Sequence, residues 1–473
     1  MIAVLISVAA IADENNADET VEKSASPAKF AWSELIQPLP TTADQQQRDR
    51  FASFTEALAN ESFSEAEIAA KQMVERVNAD AIDAAEARAR ALHNLAIAQQ
   101  LKGSHESAIQ NYAVALDIIS SEESNLSPSL ILPLRGLAIA LLDTGRPQEA
   151  FQTNDRALHI SNVNYGPHSL KQLPILNSKM QVYLEQDDQG SALDVLDRIY
   201  ILYSRRYSRK SEELLPAVYQ QAELYGKLGM LAEERAAWRH ILAIKQEHHA
   251  ENDLALIEPN IKIAENFIRE LRRVVYRSGT TPTAEKHLKK ALWIAENSPY
   301  GDWKVRKDCL LAIADYYTLV NVGSRAHRYY AAAWDLMSSK QAYLVARAES
   351  LEMPVPLARP KPDPYANFEY NPDRDKIDPK DYLDGEIVME FTVNNRGRTQ
   401  DLRVVEADPP NFSHMERRVR NAVKEFVYRP RHVEGMAAAT RNQQYRVRYF
   451  YRPSEYRASI AKAGKLLSRS GVP

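Results

Sequence analysis

The chain has 473 residues, of which 45% are hydrophobic and 26% are charged, and it contains only 15 glycines. Together with the abundance of alanine, leucine, glutamate and arginine, this composition predicts a folded, soluble and mainly α-helical protein. The net charge of −3 excludes a dedicated nucleic-acid-binding protein, because neutralising phosphates requires a strongly basic face.

The N-terminal stretch MIAVLISVAAIA, residues 1–12, is apolar but too short to cross a bilayer, and the acidic stretch DENNADET follows it. Ala10, Ile11 and Ala12 supply the small-residue pattern of a signal-peptide cleavage site, although a basic leading region is absent. We therefore predict an export signal at 1–12, atypical or truncated at its start, and a flexible segment at 13–44. A buried N-terminal strand or helix, and an uncleaved anchor with further residues upstream, are the alternatives.

A pattern recurs every 42 residues from residue 45 to residue 349, as in 150 − 108 = 42 and 192 − 150 = 42, with one longer connection before the sixth copy. Its anchor positions are Ala66, Ala108, Ala150, Ala192, Glu234, Ala284 and Ala326. We single out as signature residues of the repeat Gly103, Ala108, Tyr112, Gly145, Ala150, Ala192, Gly229, Trp238, Ala284 and Ala326.

Each unit of this pattern predicts a pair of helices. Alanine recurs where two helices cross closely, and glycine marks the turn between them because it tolerates positive φ. The preceding helices are in phase as well, at Leu92, Leu134, Leu176 and Val218. One pair cannot bury its own apolar face, whereas seven stacked pairs form a continuous core.

The segments LAIAQQLKGSHESAIQNYAVAL and LAIALLDTGRPQEAFQTNDRAL resemble the tetratricopeptide repeat (TPR) family, and the 42-residue period resembles its kinesin-light-chain variant. Asp187 and Glu234 depart from the family pattern. The resemblance implies a curved α-solenoid over 45–349 whose groove holds peptides or protein partners. The alternative is a rigid spacer with no ligand in the groove.

Cys309 is the only cysteine, which excludes a disulfide framework or a cysteine-based metal cluster, and its position predicts a small residue of the helical core.

Seven prolines stand between residues 350 and 380. Because proline lacks an amide donor and disfavours helix in the preceding residue, we predict an extended linker there.

A small α+β domain is predicted for 381–453, with the order strand, strand, helix, strand (ββαβ), and a tail at 454–473. The first strand alternates in GEIVMEFTV, the turn NNRG leads into the second, and the third is QQYRVRYFY. The helix SHMERRVRNAVKEF carries an apolar stripe, and Ser413 and Glu416 have the spacing of a capping box.

This order, with Gly385, Gly397, Phe412, Tyr428 and Pro430 at their spacings, resembles the C-terminal domain of TonB-type energy transducers. The resemblance implies a periplasmic module that captures a short peptide of an outer-membrane receptor as an added strand at its sheet edge. The third strand is the predicted edge, and its candidate peptide-binding residues are Tyr445, Arg446, Val447, Arg448, Tyr449 and Phe450.

Charge adds one expectation about this edge. Between Lys380 and Arg452 there are 14 basic and 10 acidic residues, 14 − 10 = +4, which favours an acidic guest. The alternative for Arg446 and Arg448 is a solvated face that resists aggregation.

The sequence contains no arrangement that carries catalysis: G-x-S-x-G, the phosphate-binding loop and G-x-G-x-x-G are all absent, and His248 and His249 are adjacent rather than four residues apart. We therefore predict a non-enzyme without cofactor or metal. The leading hypothesis is a periplasmic protein-binding adaptor, accessory to a TonB-type transport system. The alternative is an inner-membrane-anchored, TonB-like energy transducer, and an enzyme that docks substrates on its repeats is the third.

Overall fold

The computed structural model describes residues 32–39, 43–77, 84–273, 282–359 and 383–469. The predicted signal peptide at 1–12 lies outside these residues. Within them the chain is mainly helical, with successive helix pairs followed by a small C-terminal sheet region. No helix in the described ranges combines the length and the apolar character that a membrane span needs.

The helices, numbered in chain order, are α1 Gln45–Ala59, α2 Phe63–Glu75, α3 Ala84–Leu101, α4 His105–Glu122, α5 Ile131–Asp143, α6 Pro147–Tyr165, α7 Leu173–Glu185, α8 Gln189–Arg206, α9 Leu215–Lys227, α10 Leu231–His248, α11 Ile257–Arg273, α12 Pro282–Asn297, α13 Trp303–Leu319, α14 Gly323–Ser338, α15 Leu344–Leu351, α16 Ser413–Lys424 and α17 Pro453–Arg469. The strands are β1 Val355–Ala358, β2 Leu383–Val393, β3 Thr399–Asp408, β4 Val427–Arg429, β5 Arg431–Val433, β6 Met436–Ala438 and β7 Thr440–Tyr451.

The chain divides into two compact units, with the boundary after Ala237. In the first unit α1 packs on α2, α3 on α4, α5 on α6 and α7 on α8. The core lies between these helices, because the recurring alanines face the partner helix: Ala66, Ala108, Ala150 and Ala192 have no exposed surface. The helix-pair repeat predicted from the 42-residue period is therefore present.

In the six helix pairs whose inner turn the structure describes, that turn has a left-handed backbone at the same repeat position. That position holds Glu61, Gly103, Gly145, Asp187, Gly229 and Asn321, with φ between 55° and 87°. Glycine adopts this conformation at little cost, whereas a side chain makes it unfavourable by about 1–2 kcal/mol. The units without glycine at this position keep the same turn, so the packing of the pair determines it.

In the second unit α11 packs on α12 and α13 on α14, and α15 follows. Cys309 on α13 is buried, as its position in the sequence indicated. Burial raises the pKa of its thiol to about 12, so the residue is a protonated core side chain.

The C-terminal region contains the three-stranded antiparallel sheet β3-β2-β7, with two further two-stranded pairs, β1-β4 and β5-β6. One face of the three-stranded sheet packs on α16, where Ile387, Met389 and Phe391 of β2 meet Val419 and Val423. In chain order α16 follows β3, and the short strands β4, β5 and β6, which the sequence did not predict, come between α16 and β7.

Four details differ from the sequence-based expectations. Trp32–Leu39, inside the predicted flexible segment 13–44, packs on α3. Val355–Ala358, inside the predicted linker 350–380, forms β1 and pairs with β4. The predicted tail 454–473 falls largely in α17. The capping box is wrong, because the residue that caps α16 is Phe412 and no side chain caps the helix.

Candidate protein-binding sites

The predicted peptide-binding residues all lie on β7, which is the outermost strand next to β2 in the three-stranded sheet. Their side chains alternate between the two faces. Val447 and Tyr449 are buried in the core, and Tyr445 packs against it. Arg446, Arg448 and Phe450 are exposed on the other face, and nearly half of the Phe450 surface is accessible.

The two arginines on this face share one carboxylate. Arg446 forms an ion pair with Glu386 of β2, and Arg448 Nε lies 3.4 Å from Glu386 Oε2. Arg446 Nη2 also lies 3.7 Å from Glu406 Oε2 on β3. The positive charge that the sequence assigned to this edge is thus partly compensated by cross-strand partners.

Tyr449 of β7 is held in place by contacts with β2 and with the end of β3. Gly385 of β2 stands opposite Tyr449, whose ring covers the glycine so closely that a Cβ there would overlap it. Tyr449 Oη donates a hydrogen bond to the carbonyl of Asp408, at 3.3 Å. Gly385 and Tyr449 therefore fix the register of β7 on β2.

A second candidate site lies on the repeats, and sequence reasoning missed it. It is the surface on which Trp32–Leu39 packs, and we call it the α3–α5 site; its residues are Arg90, His93, Asn94 and Ile97 of α3 with Arg135 and Ile139 of α5.

Side chains of α3 hold this segment by its main chain. Asn94 accepts a hydrogen bond from the amide of Gln37 and donates one to its carbonyl, both at 2.9 Å. His93 Nε2 lies 2.7 Å from the carbonyl oxygen of Leu35, and Arg90 Nη1 donates to the carbonyl of Pro38 at 2.9 Å. Four main-chain atoms of residues 35–38, which follow the 3-10 turn Trp32–Glu34, are thus bound by three polar side chains of one helix.

The side chain of Leu35 fills an apolar pocket in the same site. It is 5% exposed and packs with Ile97, Tyr112 and Ile139. The Tyr112 ring fits beneath this pocket because Gly136 of α5 has no side chain, and a Cβ there would overlap the ring. A repeat signature residue, Tyr112, therefore shapes the pocket from below.

Two basic residues of the site are unusual in their burial. Burial lowers the pKa of His93 to about 4, so its imidazole is neutral near pH 7 and donates from Nε2 to the Leu35 carbonyl. The Arg135 side chain is 6% exposed, and its Nη2 lies 3.7 Å from Glu34 Oε2. Its Nε and Nη2 are buried without a hydrogen-bond partner in the described part of the chain.

A signal for this site was present in the sequence. His93, Arg135 and Asn177 stand at successive intervals of 42 residues, and each follows directly after a buried leucine. A polar residue that recurs beside a core position in three successive units indicates a polar strip along their first helices, and such a strip is suited to binding.

The remaining signature residues are structural. Gly103, Gly145 and Gly229 form the left-handed turns, and Trp238, Ala284 and Ala326 are buried in their helices.

Among solved structures, the TPR-like repeats of a putative kinesin light chain from Podosopora anserina match with 16% identity over 45% of this chain and 97% of theirs, at a TM-score of 0.36. BtubC (BKLC) from P. vanneervenii matches with 19% identity over 51% of this chain and 94% of its own, at 0.38. The TPR2AB domain of yeast Sti1, in complex with pHSP90, matches with 14% identity over 64% of this chain and 95% of its own, at 0.24. No family model and no curated protein matches the chain.

Proposed function

We propose that this protein is a non-enzymatic, protein-binding adaptor whose helical repeats bind non-helical polypeptide segments. The observation that carries the proposal is the pair of hydrogen bonds between the Asn94 amide and both main-chain groups of Gln37. A side-chain amide that satisfies the donor and the acceptor of one residue recognises a peptide by its backbone, and this mode is available to segments of other chains.

The C-terminal sheet region supplies a second binding surface in this proposal. The resemblance to TonB-type domains and the outer position of β7 support strand addition at this edge. We place the adaptor in the periplasm, accessory to a TonB-type transport system, on the basis of that resemblance and of the apolar N-terminal stretch.

Site-specific photo-crosslinking tests this proposal in cells. The photoreactive amino acid p-benzoylphenylalanine replaces Phe450 on β7, which is exposed and outside the core. Its matched control is the same replacement at Val405 on β3, an exposed residue at the opposite edge of the same sheet. We expect cell-envelope proteins to crosslink to position 450 and not to position 405.

Two outcomes would contradict parts of the proposal. Equal crosslinking from both positions would show that β7 is not a selective edge, and exclusively cytosolic partners would remove the periplasmic placement. A proline at Val447 is a poorer test, because Val447 is buried and pairs with Ile387, so the substitution would disturb the sheet itself.

A further inference from the structure

The segment Trp32–Leu39 contacts the α3–α5 site as a bound peptide would. Its main chain supplies the carbonyls of Leu35, Gln37 and Pro38 and the amide of Gln37. Its side chains contribute the buried Leu35 and one carboxylate, Glu34, that faces Arg135. Its other apolar side chains, Trp32, Ile36 and Leu39, are partly buried against the core of α1–α3.

We propose that Trp32–Leu39 is an internal ligand of the α3–α5 site and competes with a partner peptide that carries an acidic residue directly before a leucine. The inference rests on the proposed function, since it assumes that the repeats bind peptides. It adds the ligand chemistry and a form of autoinhibition: the partner gains access only by displacing the chain's own segment.

The polar composition of the α3–α5 site indicates that Trp32–Leu39 is a displaceable ligand rather than a fixed part of the core. His93 and Asn94 are almost completely buried, and both hydrogen-bond to the main chain of the segment that covers them. A helix that packed permanently against an apolar segment would carry apolar residues at these positions, because burying polar groups is unfavourable unless each is hydrogen-bonded. Here the polar groups are matched to main-chain atoms, which every peptide presents.

The bound segment also leaves the Arg135 guanidinium of the site without a full set of hydrogen bonds. At 3.7 Å the Arg135–Glu34 contact is longer than a hydrogen bond, and the Glu34 side chain is 59% exposed. A partner carboxylate at a distance of about 2.8 Å would form the charge-assisted hydrogen bond that Arg135 lacks. A partner with that geometry gains a hydrogen bond that the internal segment does not form, and this gain offsets part of the advantage that the tether gives the segment.

The first test uses the full chain and a fluorescein-labelled synthetic peptide with the sequence of residues 32–39, WSELIQPL. Leu35→Ser weakens the internal ligand, because it removes the side chain that fills the pocket. We expect fluorescence anisotropy to show at least tenfold tighter peptide binding to the Leu35→Ser chain than to the wild type. Adding Asn94→Ala to that chain should weaken binding at least tenfold.

Matched controls identify the contacts. Asn111→Ala in the Leu35→Ser chain removes an asparagine of α4 that hydrogen-bonds to Gln99, outside the site, and should leave peptide binding unchanged. A peptide with glutamine in place of its glutamate should bind more weakly if Arg135 reads the carboxylate.

A second measurement uses a chain in which Leu35 is retained. Cys309 is buried and is the only native cysteine, so a spin label on Ser33→Cys, at an exposed position, reports on the segment alone. Excess WSELIQPL peptide should increase the mobility of the label, whereas a peptide with serine in place of its leucine should not.

Two results overturn the inference and can be told apart. Equal affinity of the peptide for the wild-type and Leu35→Ser chains would show a peptide site without an internal competitor, and the proposed function would stand. Binding to neither chain, with a label that stays immobile, would show that the segment is a permanent part of the fold. Protein binding would then depend on the β7 edge, which the crosslinking experiment tests separately.

Discussion

The guanidinium of Arg429 binds the carboxylate of Asp315 in a bidentate ion pair, with Nε 2.9 Å from Oδ1 and Nη2 2.6 Å from Oδ2. Arg429 is on β4 and Asp315 on α13, so this pair fastens the C-terminal sheet region to the last complete helix pair. Tyr330 donates to the same carboxylate at 2.8 Å, and Arg429 donates to the carbonyl of Ser350 at 2.9 Å. Both charged side chains are 7% exposed.

Removing one partner of this pair should be strongly destabilising. Asp315→Asn leaves a buried guanidinium without its counter-ion, which typically reduces the free energy of unfolding by about 3–5 kcal/mol. We expect urea unfolding to show this loss and the double variant Asp315→Leu/Arg429→Met to recover most of it. The exposed pair Arg306–Glu296 is the control, because Arg306→Gln should change stability by less than about 1 kcal/mol. An Asp315→Asn loss no larger than that of Arg306→Gln would contradict the assignment.

At the turn between β2 and β3 the backbone of Gly397 approaches another part of the main chain closely. Gly397 has φ +74°, and a Cβ there would overlap the carbonyl oxygen of Tyr428, whose amide donates to the Gly397 carbonyl at 2.8 Å. We expect Gly397→Ala to lower the stability by more than about 2 kcal/mol, because left-handed strain and a backbone clash add. Gly323→Ala is the matched control: its Cβ would meet no atom within 4 Å, and alanine favours α14. Near-identical thermal unfolding of the two variants would contradict this reading of the turn.

The left-handed position of the repeats offers a stabilising change. Glu61 is exposed and has φ +56°, at the position where other units carry glycine. Glu61→Gly should raise the free energy of unfolding by about 0.5–1 kcal/mol, because it relieves left-handed strain at a smaller cost in chain entropy. Glu56→Gly, on the exposed side of α1, should instead lower it by about 1 kcal/mol. The two substitutions should therefore shift the urea midpoint in opposite directions.

The repeats could be predicted because their information is local and periodic. Each alanine position is repeated at a fixed spacing, and a helix pair that buries Ala108 or Ala150 has few other ways to pack. The strands of the C-terminal sheet were equally readable, since alternation from Ile387 to Val393 fixes which side chains enter the core.

The features that the sequence did not predict depend on contacts between residues that are far apart in the chain. Leu35 and His93 are separated by 58 positions, and Asp315 and Arg429 by 114, and neither pair belongs to a repeated pattern. Val355–Ala358 was assigned to the linker because Pro356 lacks an amide donor, yet it forms β1 because a strand in a two-stranded sheet pairs on one side only.

Acidification should weaken the fold through His93. Its pKa is lowered to about 4 by burial, whereas an unfolded histidine has a pKa near 6.5. The unfolded chain therefore binds a proton that the folded chain rejects, so stability is retained above pH 6.5 and is lost as the pH falls from 6.5 towards 4.

Between pH 7 and pH 5 this histidine should cost about 2 kcal/mol of unfolding free energy. His93→Gln keeps a donor for the Leu35 carbonyl and cannot be protonated, so its stability should fall less over the same range. Urea titrations of both proteins at the two pH values measure the difference. Asn111→Ala, which removes a non-titrating side chain of α4 outside the α3–α5 site, is the control and should keep the wild-type pH dependence. If His93→Gln and the wild type lose equal stability on acidification, His93 is not the buried neutral donor that holds Leu35.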